Sequence, residues 1–125
     1  MIDAIRMTLA LLITLLPAAV ARADGDPARG EARFQECAAC HRLEAGVNEV
    51  GPSLHGIFMR KAGELADFRY SPAMRRSGTT WTPETTEKYI ADPQAMIPAN
   101  RMPYAGMASA SDRADLIAYL VKATK

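Results

Sequence analysis

The sequence has 125 residues, of which 15 are lysine or arginine and 14 are aspartate or glutamate, so its formal net charge is +1. A chain of this length forms one domain, which excludes a multidomain enzyme. The charge balance argues against a nucleic-acid partner, because a non-specific nucleic-acid binder needs a clear excess of basic residues. An apolar content of 49% argues against intrinsic disorder.

The first 23 residues have the pattern of a secretory signal peptide. Arg6 is the charged start, residues 7–16 are an apolar run, and Ala21-Arg22-Ala23 is typical of a cleavage site. The run is too short to predict a membrane span, and Pro17 interrupts it. We therefore predict that residues 1–23 are cleaved and that residues 24–125 form one domain in the bacterial periplasm, without stable membrane insertion. The predicted mature chain has 13 basic and 13 acidic residues.

The first helix is predicted to begin at Asp26 and Pro27. Aspartate is a preferred N-cap, and proline suits the first helical turn. The helix should run to about Ala39, and fourfold spacing places Gly30 and Phe34 on one of its faces.

The end of this helix carries the motif Cys37-Ala38-Ala39-Cys40-His41, which contains the only two cysteines of the chain. Residues three apart lie on one helical face, so two such thiols can each bond one vinyl group of the same porphyrin. The histidine that follows can then ligate the iron. Cys-x-x-Cys-His behind a signal peptide therefore predicts covalent attachment of one haem c.

Other interpretations of the two cysteines fit less well. A redox dithiol of the thioredoxin type follows a strand, and no strand pattern precedes Cys37. A structural zinc site needs four ligands, whereas the mature chain offers two cysteines, His41 and His55. A disulfide between Cys37 and Cys40 would leave His41 unexplained.

The remaining elements follow from turn and capping residues. Residues 42–58 carry several glycines and a proline and are predicted to be a loop. Ser71-Pro72 predicts a short helix that Gly78 ends, and Thr82-Pro83 predicts another that stops before Pro93.

The last part of the chain combines a proline-rich segment with a helix. Pro93, Pro98 and Pro103 predict an extended loop. Ser111 predicts the N-cap of a final helix that runs to about Lys122. Strand-like alternation is nowhere sustained, so the fold is predicted to be all-α. Loops of this length are unusual in a small domain, and wrapping around a cofactor would order them.

Spacing alone does not identify the second axial ligand of the iron. His55 is so close to His41 in sequence that it could hardly reach the opposite haem face. Met102 lies in the proline-rich segment, which could hold a weakly bound thioether in place, but methionine is also a common core residue. The methionine candidates are Met59, Met74, Met96, Met102 and Met107.

Taken in order, these segments resemble a class I cytochrome c of the soluble bacterial type, similar to the mitochondrial carrier. The resemblance covers residues 25–124. It is carried by Gly25-Asp26-Pro27, Gly30, residues 37–41, Gly51-Pro52-Ser53-Leu54-His55-Gly56, residues 68–71, Trp81-Thr82, residues 89–93, residues 97–102, Tyr104-Ala105-Gly106 and residues 113–120.

The resemblance implies a cytochrome c fold wrapped around one covalently attached haem. It implies that Cys37 and Cys40 form the thioethers, with His41 as proximal and Met102 as distal ligand. The carbonyl of Pro52 would accept a hydrogen bond from the His41 ring, which fixes the tautomer.

The resemblance also implies roles for residues around the haem edge. Arg60, Tyr70 and Trp81 would surround a buried haem propionate, because a desolvated carboxylate needs donors. Asn100 stands where the family has threonine and could donate to a propionate. Tyr89 would lie near the methionine sulfur.

The implied function is one-electron transfer by an exported monomer that is not an enzyme. The expected partners are a membrane oxidase, a cytochrome bc-type complex or a periplasmic dehydrogenase. The alternatives are a haem subunit fixed to one dehydrogenase, or a haem protein that binds small ligands and acts like a peroxidase. The mature chain lacks the lysine ring of the mitochondrial carrier, so apolar side chains at Met59, Tyr104 and Met107 are expected to contact partners.

Overall fold

A computed structural model describes residues 24–125. The predicted signal peptide, residues 1–23, lies outside the described residues. Five helices follow in chain order: α1 (Pro27–Ala38), α2 (Pro72–Arg76), α3 (Pro83–Ala91), α4 (Pro93–Met96) and α5 (Ala110–Ala123). In residues 24–125 the only β-type pairing is an isolated bridge between Lys61 and Thr80. The all-α prediction is therefore confirmed.

Side-chain caps explain where the first three helices begin. Asp26, Ser71 and Thr82 each accept a hydrogen bond from a backbone N–H of the first turn, and each is followed by proline. Proline has no N–H to leave unsatisfied there, and its fixed φ is helical. The predicted starts of these helices are confirmed because both signals are local in the sequence.

Two predictions for the last third of the chain are wrong. The segment after Asp92 begins with α4 rather than an extended loop, because the Asp92 carboxylate accepts from the N–H of Ala95 at 3.0 Å and caps a short helix. The N-cap of α5 is Ser109 rather than Ser111: its hydroxyl accepts from the N–H of Asp112 at 3.2 Å.

The first and last helices, α1 and α5, cross in close contact. The ring of Phe34 lies 5.4 Å from that of Tyr119, and Leu116 is 1% exposed. A Cβ on Gly30 would overlap the backbone carbonyl of Asp115. Glycine at position 30 therefore lets the two backbones approach to contact distance.

A buried carboxylate fastens the same crossing. Asp115 accepts from the backbone N–H of Asp26 at 2.7 Å and from Nε of Arg29 at 2.8 Å. The Nη2 of Arg29 adds a third bond at 3.1 Å. These hydrogen bonds, that from the Arg29 side chain foremost, hold the pKa of Asp115 below its ordinary value.

Replacing Asp115 with asparagine should destabilise the protein at neutral pH and much less in acid. The lowered pKa means that the folded state favours the carboxylate, so this stabilisation is present above the ordinary aspartate pKa and is lost as pH falls through the lowered value. Thermal unfolding of both proteins should therefore show a gap at pH 7 that narrows below about pH 4. Asp112→Asn removes the more exposed pair with Arg33 and should change little; a gap independent of pH would contradict the assignment.

Candidate functional site

The described part of the chain contains a cavity of about 280 Å³. Four of its lining residues carry sulfur or imidazole groups: Cys37, Cys40, His41 and Met102. The first three lie at and just after the end of α1, and Met102 lies in the proline-rich segment about 60 residues later. Much of the rest of its wall is apolar: Leu54, Ile57, Phe68, Met74, Trp81, Ile90, Leu116 and Leu120. The cavity therefore combines sulfur and imidazole groups with a largely apolar wall.

The two cysteines lie where α1 ends. The backbone N–H groups of Cys40 and His41 both donate to the carbonyl of Cys37, at 3.0 and 2.9 Å, which makes a tight turn. Both thiols are free and half-buried. Burial, aided by the negative charges of Glu36 and Cys40, raises the pKa of Cys37 to about 11. A redox dithiol instead needs a thiol with a lowered pKa, so the raised pKa of Cys37 does not favour that alternative.

The His41 ring is held in one orientation. Its Nδ1 lies 2.7 Å from the carbonyl oxygen of Pro52, which can only accept, so Nδ1 donates and Nε2 is left as the free nitrogen. Burial lowers the pKa of His41, more than the Pro52 carbonyl raises it, which favours the neutral imidazole that binds metals. A Cβ on Gly51 would overlap the ring, so glycine lets the chain cross it.

The segment that carries Met102 is shaped by Asn100, in a way that the sequence analysis did not anticipate. Both N–H groups of the Asn100 amide are donated to backbone carbonyls, to Pro93 at 3.0 Å and to Ile97 at 2.9 Å. Its oxygen accepts from the N–H of Met102 at 2.8 Å. Asn100 is buried and does not line the cavity, and both of its N–H groups are donated within the chain. Its role as a propionate donor stays a prediction; in the structure it holds the backbone of Met102.

A second group of cavity residues could satisfy a carboxylate. Arg60 donates to the carbonyls of Ser53 at 2.8 Å and His55 at 3.1 Å. Within residues 24–125 no carboxylate forms an ion pair with it, and burial lowers its pKa. Burial also raises the pKa of Tyr70, which lines the cavity as Arg60 does. A half-buried guanidinium with no carboxylate at ion-pair distance among the described residues fits the predicted propionate.

Two hydroxyl groups in the cavity wall have no hydrogen-bond partner. The oxygens of Thr86 and Tyr89 are buried and unpaired, and both residues line the cavity from α3. Burial raises the pKa of Tyr89 to about 12, and its ring lies 5.0 Å from that of Trp81. Buried polar groups normally have partners, so these atoms indicate a bound group in the cavity. Thr86 was missed in the sequence, although its spacing from Tyr89 is that of one helical face.

The structure also narrows the choice of axial ligand. His55 is exposed and does not line the cavity, and Met59 is 75% exposed. Met107 is 6% exposed and does not line the cavity either. Its predicted role in contacting partners is therefore wrong, because a partner protein cannot reach a buried side chain. Among the methionines of residues 24–125, two line the cavity: Met74 and Met102.

Two further features of the described residues bear on other kinds of site. In residues 24–125 no group of three or more histidine, cysteine, aspartate or glutamate side chains could hold a metal ion, so a zinc cluster is not formed there. No helix in the same range is long and apolar enough to cross a membrane.

Comparison with known proteins agrees with this geometry. The sequence profile of the family described as cytochrome c matches residues 27–124. The chain is 50% identical to cytochrome c2 iso-2 of Magnetospirillum fulvum over 98 residues, which cover 78% of this chain and 97% of that protein. It is 44% identical to cytochrome c2 of Rhodoblastus acidophilus over 97 residues, or 77% and 91% of the two chains. With cytochrome c of Gibberella zeae the identity is 40% over 105 residues, or 82% and 99%.

The chain belongs to the cytochrome c family and is a class I cytochrome c. It is an electron carrier, and its two cysteines, spaced as in a c-type attachment site, fit one covalently bound haem c.

Proposed function

We propose that this protein is a periplasmic one-electron carrier whose haem is attached through Cys37 and Cys40 and ligated by His41 and Met102. The observation that carries the proposal is that one apolar cavity brings together two free thiols, a neutral imidazole and a thioether. Haem c, when bound, supplies an iron that cycles between the ferrous and ferric states.

The residues of the chain have three tasks in this proposal. Pro52 holds the His41 ring, and Asn100 holds the backbone of Met102, so both ligands stay in place when the charge of the site changes. A thioether ligand and an apolar wall both favour the reduced state, because each disfavours an added positive charge. Arg60 and Tyr70 would face the negative propionate.

The signal-peptide pattern and the cytochrome c family support the location and the kind of partner in this proposal. Residues 1–23 would direct export, and the mature domain would carry electrons as a monomer to or from a membrane oxidase, a cytochrome bc-type complex or a periplasmic dehydrogenase. The proposal assigns no catalytic residue. A peroxidase-like activity would need an open distal position, which Met102 would fill.

Covalent attachment is tested by extraction with acidified acetone. One haem per chain is expected to stay with the protein, because thioether bonds survive denaturation. Cys37→Ser and Cys40→Ser should each retain haem through one bond, and the double variant should release it to the solvent. Mass spectrometry of the periplasmic fraction would check haem content, export and cleavage after residue 23 together. Haem that leaves the unaltered protein would refute attachment at the cysteines.

A further inference from the structure

A single side-chain hydrogen bond joins the Met102 segment to the first helix. The hydroxyl of Tyr104 donates to Oε2 of Glu36 at 3.0 Å, across 68 positions of sequence. Glu36 precedes Cys37 on α1, and Tyr104 follows Met102 by two residues. Both residues line the cavity, so this bond spans its edge between the cysteines and the methionine.

Two other hydrogen bonds near Met102 lie within its own segment of chain. Asn100 binds the backbone of Met102 from two residues away, and the N–H of Tyr104 donates to the carbonyl of Met102 at 2.9 Å. Those two bonds set the local shape of the segment. Its ends are fastened elsewhere: Asn100 donates to the carbonyl of Pro93 in α4 at 3.0 Å, and the N–H of Met107 donates to the carbonyl of Ile90 in α3 at 2.8 Å. Within residues 102–106, as the structure describes them, the Tyr104–Glu36 bond is the one hydrogen bond to a distant part of the chain. Arg101, just before them, reaches the carbonyl of Tyr70 only at 3.5 Å.

We propose that Tyr104 and Glu36 are a positioning pair that holds the Met102 segment against α1 and keeps the thioether in the cavity. The inference rests on the proposed ligation by Met102. A phenol donating to a carboxylate is a charge-assisted bond, stronger than a neutral one. The bond is solvent-exposed and joins two residues of the cavity wall, so its loss should raise the rate of local opening more than it lowers global stability.

The test uses the ferric haem protein and Tyr104→Phe, which removes only the hydroxyl oxygen. Added imidazole binds the iron only when the thioether has left, so its binding rate reports opening of the segment. The rate should rise about fivefold, the equivalent of about 1 kcal/mol. Exchange of the backbone amide hydrogens of residues 104–106 should accelerate similarly, while the midpoint of global unfolding by denaturant should change little.

Matched variants separate the pair from a general effect of the rim. Glu36→Gln keeps an acceptor oxygen and should change the rate less than Glu36→Ala, which should match Tyr104→Phe. The double variant Glu36→Ala, Tyr104→Phe should open no faster than either single variant, because the same bond is lost in each. Tyr119→Phe changes a tyrosine outside the cavity wall and should leave the rate unaltered.

Two outcomes would overturn the positioning role: an unchanged imidazole rate and amide exchange in Tyr104→Phe, or additive effects in the double variant. Failure of the proposed function looks different. If Met102 is not a ligand, the unaltered ferric protein lacks the sulfur-to-iron absorption band, whereas amide exchange still reports whether Tyr104 and Glu36 hold the segment.

Discussion

Replacing Met102 with leucine is expected to abolish the sulfur-to-iron absorption band of the ferric protein and to lower its reduction potential. Leucine nearly conserves volume, so the packing should survive while the thioether is lost. Axial ligands cover a range of about 0.8 V in haem proteins, and losing the sulfur should lower the potential on the order of 0.1 V or more. Visible spectroscopy and potentiometric titration of the purified haem protein would measure both effects.

The informative control is Met74→Leu, because Met74 is the other methionine in the cavity wall. It should keep the band and shift the potential far less. Met96→Leu changes a half-buried side chain outside that wall and should be silent. If the band survives in Met102→Leu but disappears in Met74→Leu, the distal ligand is Met74 of α2 and the assignment to Met102 is wrong.

Opening the distal position has a second consequence that bears on the enzyme alternative. With Met102 replaced, peroxide could reach the iron, and the variant should gain peroxidase-like activity that the unaltered protein lacks. The gain would come from removing a side chain, which is the behaviour expected of a carrier with a closed site. High activity in the unaltered protein would instead favour the small-ligand alternative.

Much of the fold could be predicted from sequence because its signals are local. Capping residues followed by proline mark the starts of α1, α2 and α3, and each signal lies within one helical turn. The same chemistry operates at Asp92 and Pro93, but three prolines within eleven residues also favour an extended loop, so the sequence does not decide between the two. Ser109 and Ser111 are equally good N-caps in sequence, so the start of α5 is decided by the backbone geometry, which places the Ser109 hydroxyl at the N–H of Asp112.

In the candidate site, too, some features can be predicted from local sequence and others depend on the folded chain. The spacing of Cys37, Cys40 and His41 predicts their joint role because it lies within five consecutive residues and matches a c-type haem attachment motif. The direction of the Asn100 side chain depends on carbonyls of Pro93 and Ile97, which the fold brings within reach. That contact, like the unpaired hydroxyl of Thr86, is a property of the folded chain.

Replacing Gly30 with alanine is expected to destabilise the protein by about 2 kcal/mol or more, although alanine is the better helix former. On propensity alone, this change in the middle of α1 would stabilise the helix by about 1 kcal/mol. The added methyl group would overlap the carbonyl oxygen of Asp115 and lie 2.8 Å from Cβ of Tyr119. Backbone atoms cannot rotate away, so α5 would have to move, and overpacking typically costs about 1–3 kcal/mol.

The displacement would also strain the bonds from Asp26 and Arg29 to Asp115, since all of them cross the same contact. Each kcal/mol lowers the melting temperature of a domain this size by about 4–8 °C, so a fall of roughly 10 °C is expected for the haem protein. Ala32→Gly, at an exposed position of α1, isolates propensity and should cost only about 1 kcal/mol. A Gly30→Ala protein that melts at or above the original temperature would show that the helices can separate freely, contrary to the close contact at their crossing.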